Sequence, residues 1–136
     1  MKELTLDATI ENIETVTDFV TAELESNHCP RKAQVQISNA IDELFSNISR
    51  YAYNPETGPA VVQVEVAQNP LAVIITFMDH GVPYDPLANL NPDTSLSAEE
   101  REVGGLGVFL VKNIMDDVAY EYKDGLNILK INKNLE

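Results

Sequence analysis

Residues 60–79 read AVVQVEVAQNPLAVIITFMD, and the fold class follows from their pattern. Residues 60–67 alternate and are rich in β-branched side chains, while residues 71–78 form an almost continuous apolar run, so each stretch predicts a β-strand. The intervening Gln68, Asn69 and Pro70 favour a turn. These twenty residues therefore predict a β-hairpin whose second strand is buried.

A second hairpin is predicted further along the chain. Residues 118–123 and 126–131 are strand-like, and Asp124-Gly125 between them is a dipeptide typical of tight hairpin turns. Residues 3–6 predict one more short strand. Because strands joined mostly by hairpins run in opposite directions, the sheet should be mostly antiparallel.

Three amphipathic helices complete the predicted fold. Apolar residues recur at helical spacing from Ile10 to Leu24, behind Asp7 and Thr9, either of which is able to cap a helix. A second helix should begin at Pro30, and a third should cover residues 108–115. The second helix carries a long apolar stripe: Ala33, Ile37, Ala40, Ile41, Leu44, Phe45, Ile48 and Tyr51. Three helices on one face of the sheet make a two-layer α+β sandwich.

Length and charge restrict the class of protein. The 136 residues suit a single domain spanning residues 1–136. The formal net charge of −13 disfavours nucleic acid and anionic membranes as partners, since neither offers counter-charge to an acidic surface. The lone Cys29 excludes an internal disulfide. With no leader-like or bilayer-spanning segment visible, a cytoplasmic location is expected.

Glu43 and Asn47 form the first candidate cluster. They lie four residues apart on the second helix and so share one of its faces, beside the apolar stripe. A carboxylate there is able to orient or deprotonate a hydroxyl, and an amide oxygen suits a hard cation. The same spacing is also common on a solvated helix flank, so both interpretations stay open for this pair alone.

Asp79 and Gly81 form the second cluster, at the end of the apolar strand. A carboxylate acceptor beside a flexible backbone is what recognition of an amine-bearing base requires. Asp and Gly are equally common in ordinary turns, so this motif is also ambiguous when it is taken alone.

The third cluster, Gly104-Gly105-Leu106-Gly107, opens the third helix. Closely spaced glycines let backbone amides approach an anion, and the helix N-terminus adds favourable partial charge. No Gly-Lys-Ser or Gly-Lys-Thr ending follows and no strand precedes the glycines, so neither a P-loop nor a Rossmann motif is indicated. A phosphate cradle and a flexible hinge both remain open.

Taken in order, three segments resemble the N, G1 and G2 boxes of GHKL ATP-binding domains, which have the Bergerat fold. The segments are ELFSNISRYAY (43–53), DHGVPYDP (79–86) and GGLGVFLVKNIMD (104–116). Each lies at its expected place: a helix, a strand end and a helix start. Within that superfamily, Gly-Val-Pro-Tyr-Asp-Pro after the aspartate is similar to the anti-sigma-factor serine/threonine kinase group.

This resemblance implies a role for individual residues. Glu43 would be the catalytic base or a water-orienting carboxylate, and Asn47 would bind magnesium. Asp79 would accept a hydrogen bond from the adenine amino group, and Gly81 would line the base. The remaining implied ligands surround the triphosphate: Gly104, Gly105, Leu106 and Gly107 as a mobile lid, and Arg101 as a charge partner of the terminal phosphate.

Pro83 departs from the usual G1 pattern, in which many members have a second glycine at this position. Proline fixes its own φ and has no amide donor. The loop should therefore be stiffer, with one backbone contact to nucleotide fewer.

The resemblance implies an ATP- and Mg²⁺-dependent protein serine/threonine kinase. Such a protein phosphorylates an anti-sigma antagonist, sequesters a sigma factor, or does both, and a homodimer is implied. The alternative is a catalytically inactive nucleotide-binding module that acts only by protein–protein contact. A sensor histidine kinase is not expected, because no dimerisation helices with a phosphoacceptor histidine are visible.

Overall fold

The computed structural model describes residues 1–53, 56–87 and 106–135, with the exception of the Leu106 side chain. Regular structure in these ranges follows the order β1 (Lys2–Asp7), α1 (Ile13–Ser26), α2 (Arg31–Tyr51), β2 (Pro59–Ala67), β3 (Ala72–Asp79), α3 (Leu106–Ile114), β4 (Asp117–Lys123) and β5 (Leu126–Asn134). A short 3₁₀ turn, Ile10–Asn12, precedes α1. None of these described helices combines the length and apolar character needed to cross a bilayer.

The five strands form one antiparallel sheet in the order β1-β2-β3-β5-β4. Strand β3 is central, which explains why its sequence is apolar almost throughout. Its register places Phe77 opposite Val62 on β2 and opposite Leu129 on β5. The same register places Asp79 opposite Asn127, so two polar residues face each other where β3 ends.

The three helices cover one face of the sheet, as predicted for an α+β sandwich. Helix α1 packs on α2 and β2, and α3 packs on α2. Most of the predicted α2 stripe is buried: Ala33, Ile37, Ala40, Ile41, Leu44 and Phe45. Ile48 and Tyr51, at the end of the stripe, are only half-buried because they border a cleft.

The predicted helix starts need two corrections. Strand β1 continues to Asp7, which pairs with Pro59, so Asp7 does not cap a helix. Thr9 precedes the 3₁₀ turn without making a side-chain capping bond. Helix α2 begins at Arg31, not Pro30, because Pro30 has an extended backbone (φ −59°, ψ 142°). In both cases the preceding backbone conformation decides where the helix starts.

The buried stripe of α2 should carry much of the stability. Ile41 is 0% exposed and Val35, on the same helix, is 50% exposed. We expect Ile41→Ala to lower the free energy of unfolding by about 2–5 kcal/mol, through lost apolar burial and a residual cavity. Val35→Ala, the matched control, should change it by less than about 1 kcal/mol. Urea denaturation measures both, and equal losses would contradict this packing.

Candidate functional site

A cleft opens between the C-terminal half of α2 and the adjoining ends of β3 and β5, and it holds about 410 Å³ when the space open to solvent is counted. Its walls are largely apolar: Leu44, Ile48, Ala52, Phe77, Val82 and Leu129. Three polar side chains in this lining, Asn47, Asp79 and Asn127, are each more than 90% buried. Apolar walls with a few convergent polar groups are typical of small-molecule sites.

Asp79, the last residue of β3, is held by two hydrogen bonds to the same carboxylate oxygen. The Gly81 N–H donates to Asp79 Oδ1 at 2.8 Å, and Asn127 Nδ2 donates to it at 2.9 Å. The first bond forms a local turn of the kind that Asp favours. Since Asp79 is only 4% exposed, these bonds offset part of the cost of burying its carboxylate.

The loop after Asp79 is attached to the end of α2. The Val82 N–H donates to the carbonyl oxygen of Ala52 at 2.9 Å and so satisfies one of the free carbonyls at the helix C-terminus. A Cβ on Gly81 would lie 2.5 Å from the Ala52 carbonyl carbon and 2.6 Å from its Cα. Only glycine allows this approach. Gly81 therefore contacts α2 rather than lining the cleft directly.

Tyr53 connects the loop after Asp79 to the start of β2. Its hydroxyl donates to the Pro59 carbonyl at 2.6 Å and accepts from the His80 N–H at 2.8 Å. Burial raises the pKa of Tyr53 above its usual value, and the nearby Asp79 carboxylate acts in the same direction. The hydroxyl therefore stays protonated and can donate throughout the neutral range.

Two tyrosines line the solvent side of the cleft. The rings of Tyr51 and Tyr84 lie 5.3 Å apart between centroids, tilted by 32°, within the range for aromatic pairs. Burial raises the pKa of Tyr84, with smaller contributions in the same direction from Tyr51 and Asp85. The pair gives the cleft an aromatic wall.

Glu43 and Asn47 lie one turn apart on α2, but in different surroundings. Asn47 is buried in the cleft lining, whereas Glu43 is exposed and lies against the first turn of α3. A Cβ on Gly107 would come within 2.6 Å of Glu43 Cδ. Within the described ranges, no group of three or more His, Cys, Asp or Glu side chains is arranged to hold a metal ion.

The remaining predicted site residues lie in or just before the third sequence motif, residues 104–116. Arg101, Gly104 and Gly105 lie outside the described residues. Leu106 begins α3, and Gly107 follows it in the first helical turn. The structure thus brings Asn47 and Asp79 together in one cleft and places Glu43 beside Gly107.

The sequence analysis missed Asn127, which contacts both Asp79 and the loop that follows it. Asn127 bonds to Asp79, to the Val82 carbonyl (2.9 Å) and to the Tyr84 N–H (3.2 Å), and it accepts from the Tyr120 hydroxyl. One sequence signal pointed to Asn127. It occupies an inward-facing position of a strand whose other inward residues, Leu129 and Ile131, are apolar.

The chain matches the family described as "Histidine kinase-like ATPase domain" over residues 6–133. It belongs to that family. The match includes all three described helices, most of the sheet and the cleft, and it confirms the resemblance to GHKL ATP-binding domains. Membership of this family implies ATP use.

Relatives of this histidine kinase-like ATPase domain include named protein kinases. The chain is 31% identical over 90 residues to the serine/threonine-protein kinase BtrW of Bordetella bronchiseptica, covering 66% of this chain and 63% of that protein. It is 30% identical over 95 residues to the serine-protein kinase RsbW of Bacillus cereus, covering 66% and 58%. The chain therefore spans about three fifths of the length of these curated relatives.

A solved structure confirms the fold of the domain. The structure of the RsbU and RsbW domains of Rv1364c from Mycobacterium tuberculosis superposes on this domain with a TM-score of 0.67. The superposition covers 99% of this chain and 33% of the Rv1364c chain. The sequence identity is 16%, so this similarity concerns the fold alone.

Gly81 and Gly107 should respond differently to an added methyl group. Gly81→Ala would place its Cβ on the Ala52 backbone, so we expect a loss of about 1–3 kcal/mol in the free energy of unfolding. Gly107→Ala meets only the mobile end of the exposed Glu43 side chain. It should be neutral or stabilise the helix by up to about 1 kcal/mol. Urea denaturation compares them, and an equally stable Gly81→Ala would contradict the close approach.

Proposed function

We propose that this domain binds ATP with Mg²⁺ in the cleft and transfers the γ-phosphoryl group to a serine or threonine of a partner protein. The observation that carries the proposal is the convergence of a buried carboxylate, Asp79, and a buried amide, Asn47, in one largely apolar cleft. The names of the curated relatives support the protein kinase activity.

The adenine ring would occupy the apolar part of the cleft. Its flat faces suit the walls formed by Ile48, Val82 and Leu129. Its amino group would donate to Asp79, whose carboxylate is an acceptor only. In a buried site, such a charge-assisted bond discriminates strongly against a base that carries a carbonyl at the same position.

The phosphates would lie between α2 and the start of α3. Asn47 offers an amide oxygen, which suits Mg²⁺ when the remaining ligands are phosphate oxygens and water. Gly107 lies in the first turn of α3, where the helix dipole favours negative charge. Gly104, Gly105, Leu106 and Arg101 would complete the enclosure as the sequence resemblance implies.

Glu43 would serve the transfer step. The substrate hydroxyl loses its proton to the Glu43 carboxylate as its oxygen bonds to the γ-phosphorus, and the bond to the β,γ-bridging oxygen breaks to release ADP. Glu43 is exposed, so a partner's serine or threonine is able to reach it. The protein's contribution is mainly positioning and charge neutralisation.

The proposed partners follow from the anti-sigma-factor kinase resemblance. The domain would phosphorylate an anti-sigma antagonist, sequester a sigma factor, or do both, acting as a homodimer. A net charge of −13 is compatible with a partner that presents a basic face.

One observation favours the alternative of an inactive nucleotide-binding module. The amides of Gly81, Val82 and Tyr84 all donate within the protein, and Pro83 has none. Residues 81–84 thus retain no free backbone amide that could donate to a nucleotide, which would lower the affinity for the base. Binding of ATP without phosphate transfer to any partner would favour this module.

Base recognition is testable by calorimetry with ATP and with inosine triphosphate, which carries a carbonyl in place of the adenine amino group. Wild-type protein should prefer ATP. Asp79→Asn should weaken ATP binding by roughly 10- to 100-fold, since the loss of a charged acceptor costs about 1.5–3 kcal/mol. The same substitution should reduce the ratio of the affinities for ATP and inosine triphosphate. Asp85→Asn removes the same charge from an exposed loop position and should change neither affinity. Equal affinities for both nucleotides in wild-type protein would refute the assignment.

The role of Glu43 separates binding from chemistry. Glu43→Gln keeps the shape of the side chain but removes the base, so ATP affinity should stay within about threefold while phosphate transfer falls by about 10²-fold or more. Exposed Glu56→Gln provides the control. Transfer is followed as the added mass of one phosphate on a candidate antagonist, and unchanged turnover in Glu43→Gln would exclude the proposed base.

A further inference from the structure

Asn127 is a buried amide with every hydrogen-bonding position occupied. Its Nδ2 donates to Asp79 Oδ1 and to the Val82 carbonyl, both at 2.9 Å. Its Oδ1 accepts from the Tyr84 N–H at 3.2 Å and from the Tyr120 hydroxyl. With both donors and both lone pairs used, Asn127 has nothing left to offer a ligand directly.

These bonds determine how Asp79 presents its carboxylate. Both the Gly81 N–H and Asn127 Nδ2 donate to the same oxygen, Oδ1. Among the described residues, Oδ2 receives no hydrogen bond, while Asp79 lines the cleft. Two donors on one oxygen orient the carboxylate plane and leave the other oxygen as the available acceptor.

The same amide controls the loop that follows. Its bonds to Val82 and Tyr84 span Pro83, so they hold both ends of the loop's turn against β5. Val82 and Tyr84 both line the cleft. Asn127 therefore connects the carboxylate at the base of the cleft with the loop at its side.

We propose that Asn127 is a positioning residue for nucleotide recognition, which turns Asp79 Oδ2 toward the adenine amino group and holds Val82 and Tyr84 against the base. This inference rests on the proposed function, because it requires that the cleft binds adenine. It assigns the preorganisation of the acceptor to a residue on β5, outside the three sequence motifs.

A purely structural role is a poorer explanation of this residue. The neighbouring inward positions of β5, Leu129 and Ile131, are apolar, and an apolar side chain at 127 would avoid the cost of burying an amide. The amide is retained among apolar residues with all its bonds directed at the Asp79 loop and Tyr120. Burial raises the pKa of Tyr120, and the charges of Asp85 and Asp79 act in the same direction. A hydrogen bond involving the Tyr84 backbone lowers this pKa by less, so the hydroxyl remains a donor.

Asn127→Asp tests the role through pH. At alkaline pH the new carboxylate offers no donor to Asp79 and repels it, so Asp79 loses its orientation. Because two adjacent carboxylates share a proton, one of their pKa values rises well above the usual value of about 4. At acidic pH the protonated side chain again donates to Asp79, and nucleotide binding should be restored.

The measurement is calorimetry with ADP and Mg²⁺ at pH 5.5 and pH 8.0. The ratio of variant to wild-type Kd is used because the titration of the nucleotide itself cancels in that ratio. We expect a ratio of at least about 10 at pH 8.0, falling to within about threefold of unity at pH 5.5. Asn134→Asp adds the same charge at an exposed position of β5 and should keep a ratio near one at both values.

Each other outcome overturns the inference. A ratio near one at both pH values removes the positioning role while leaving ATP binding intact. An equally large ratio at both pH values indicates only a local disruption of the structure, and it also contradicts the positioning role. Wild-type protein that binds no adenine nucleotide would refute both this inference and the proposed function.

A second variant covers loss of folding. If Asn127→Asp shows no cooperative thermal transition at pH 8.0, the positioning role of Asn127 is tested with Tyr120→Phe instead. This substitution removes one donor to Asn127 and keeps the aromatic ring. We expect its ADP affinity to fall about two- to fivefold with no pH dependence. Wild-type affinity in that variant would overturn the proposal.

Discussion

The backbones of α2 and of the loop after β3 approach each other at Ala52 and Gly81, and the geometry of the cleft depends on that approach. The Val82 N–H satisfies a carbonyl at the C-terminus of α2, and the absence of a side chain at Gly81 allows the contact. This junction sets the distance between the helix that carries Asn47 and the strand that ends in Asp79. A wider separation would leave these two side chains on different surfaces.

Polar groups in the cleft are tolerable because they bond to one another. Asp79 is nearly fully buried, and an isolated carboxylate there would be costly. The Gly81 amide and Asn127 reduce that cost while keeping the acceptor at a defined place. The Tyr120 hydroxyl and the Tyr84 amide then satisfy Asn127 in turn. Stability of the buried network and preorganisation for a ligand thus depend on the same bonds.

Charge is distributed unevenly around the site. Asp79 is enclosed by apolar walls and a hydrogen-bond network, whereas Glu43 is exposed beside Gly107 at the start of α3. Two acidic side chains are therefore suited to different tasks. The enclosed one is an acceptor of fixed orientation, and under the proposed function the exposed one would take the proton of an arriving substrate.

Local patterns in the sequence determined the elements and the fold class. Two hairpins were predicted correctly, one from the alternation in residues 60–67 and the apolar run after it, and one from Asp124-Gly125. The apolar stripe on α2 predicted the buried face of that helix. Motif spacing also singled out Asn47 and Asp79. Capping was predicted less well, since β1 continues through Asp7 and its pairing with Pro59 is a contact between distant segments. Only the tertiary structure decided that Asn127 meets Asp79 and that Gly81 meets Ala52. Both contacts depend on the register of β3 with β5 and on the packing of α2, which arise when the whole sheet and its helices assemble.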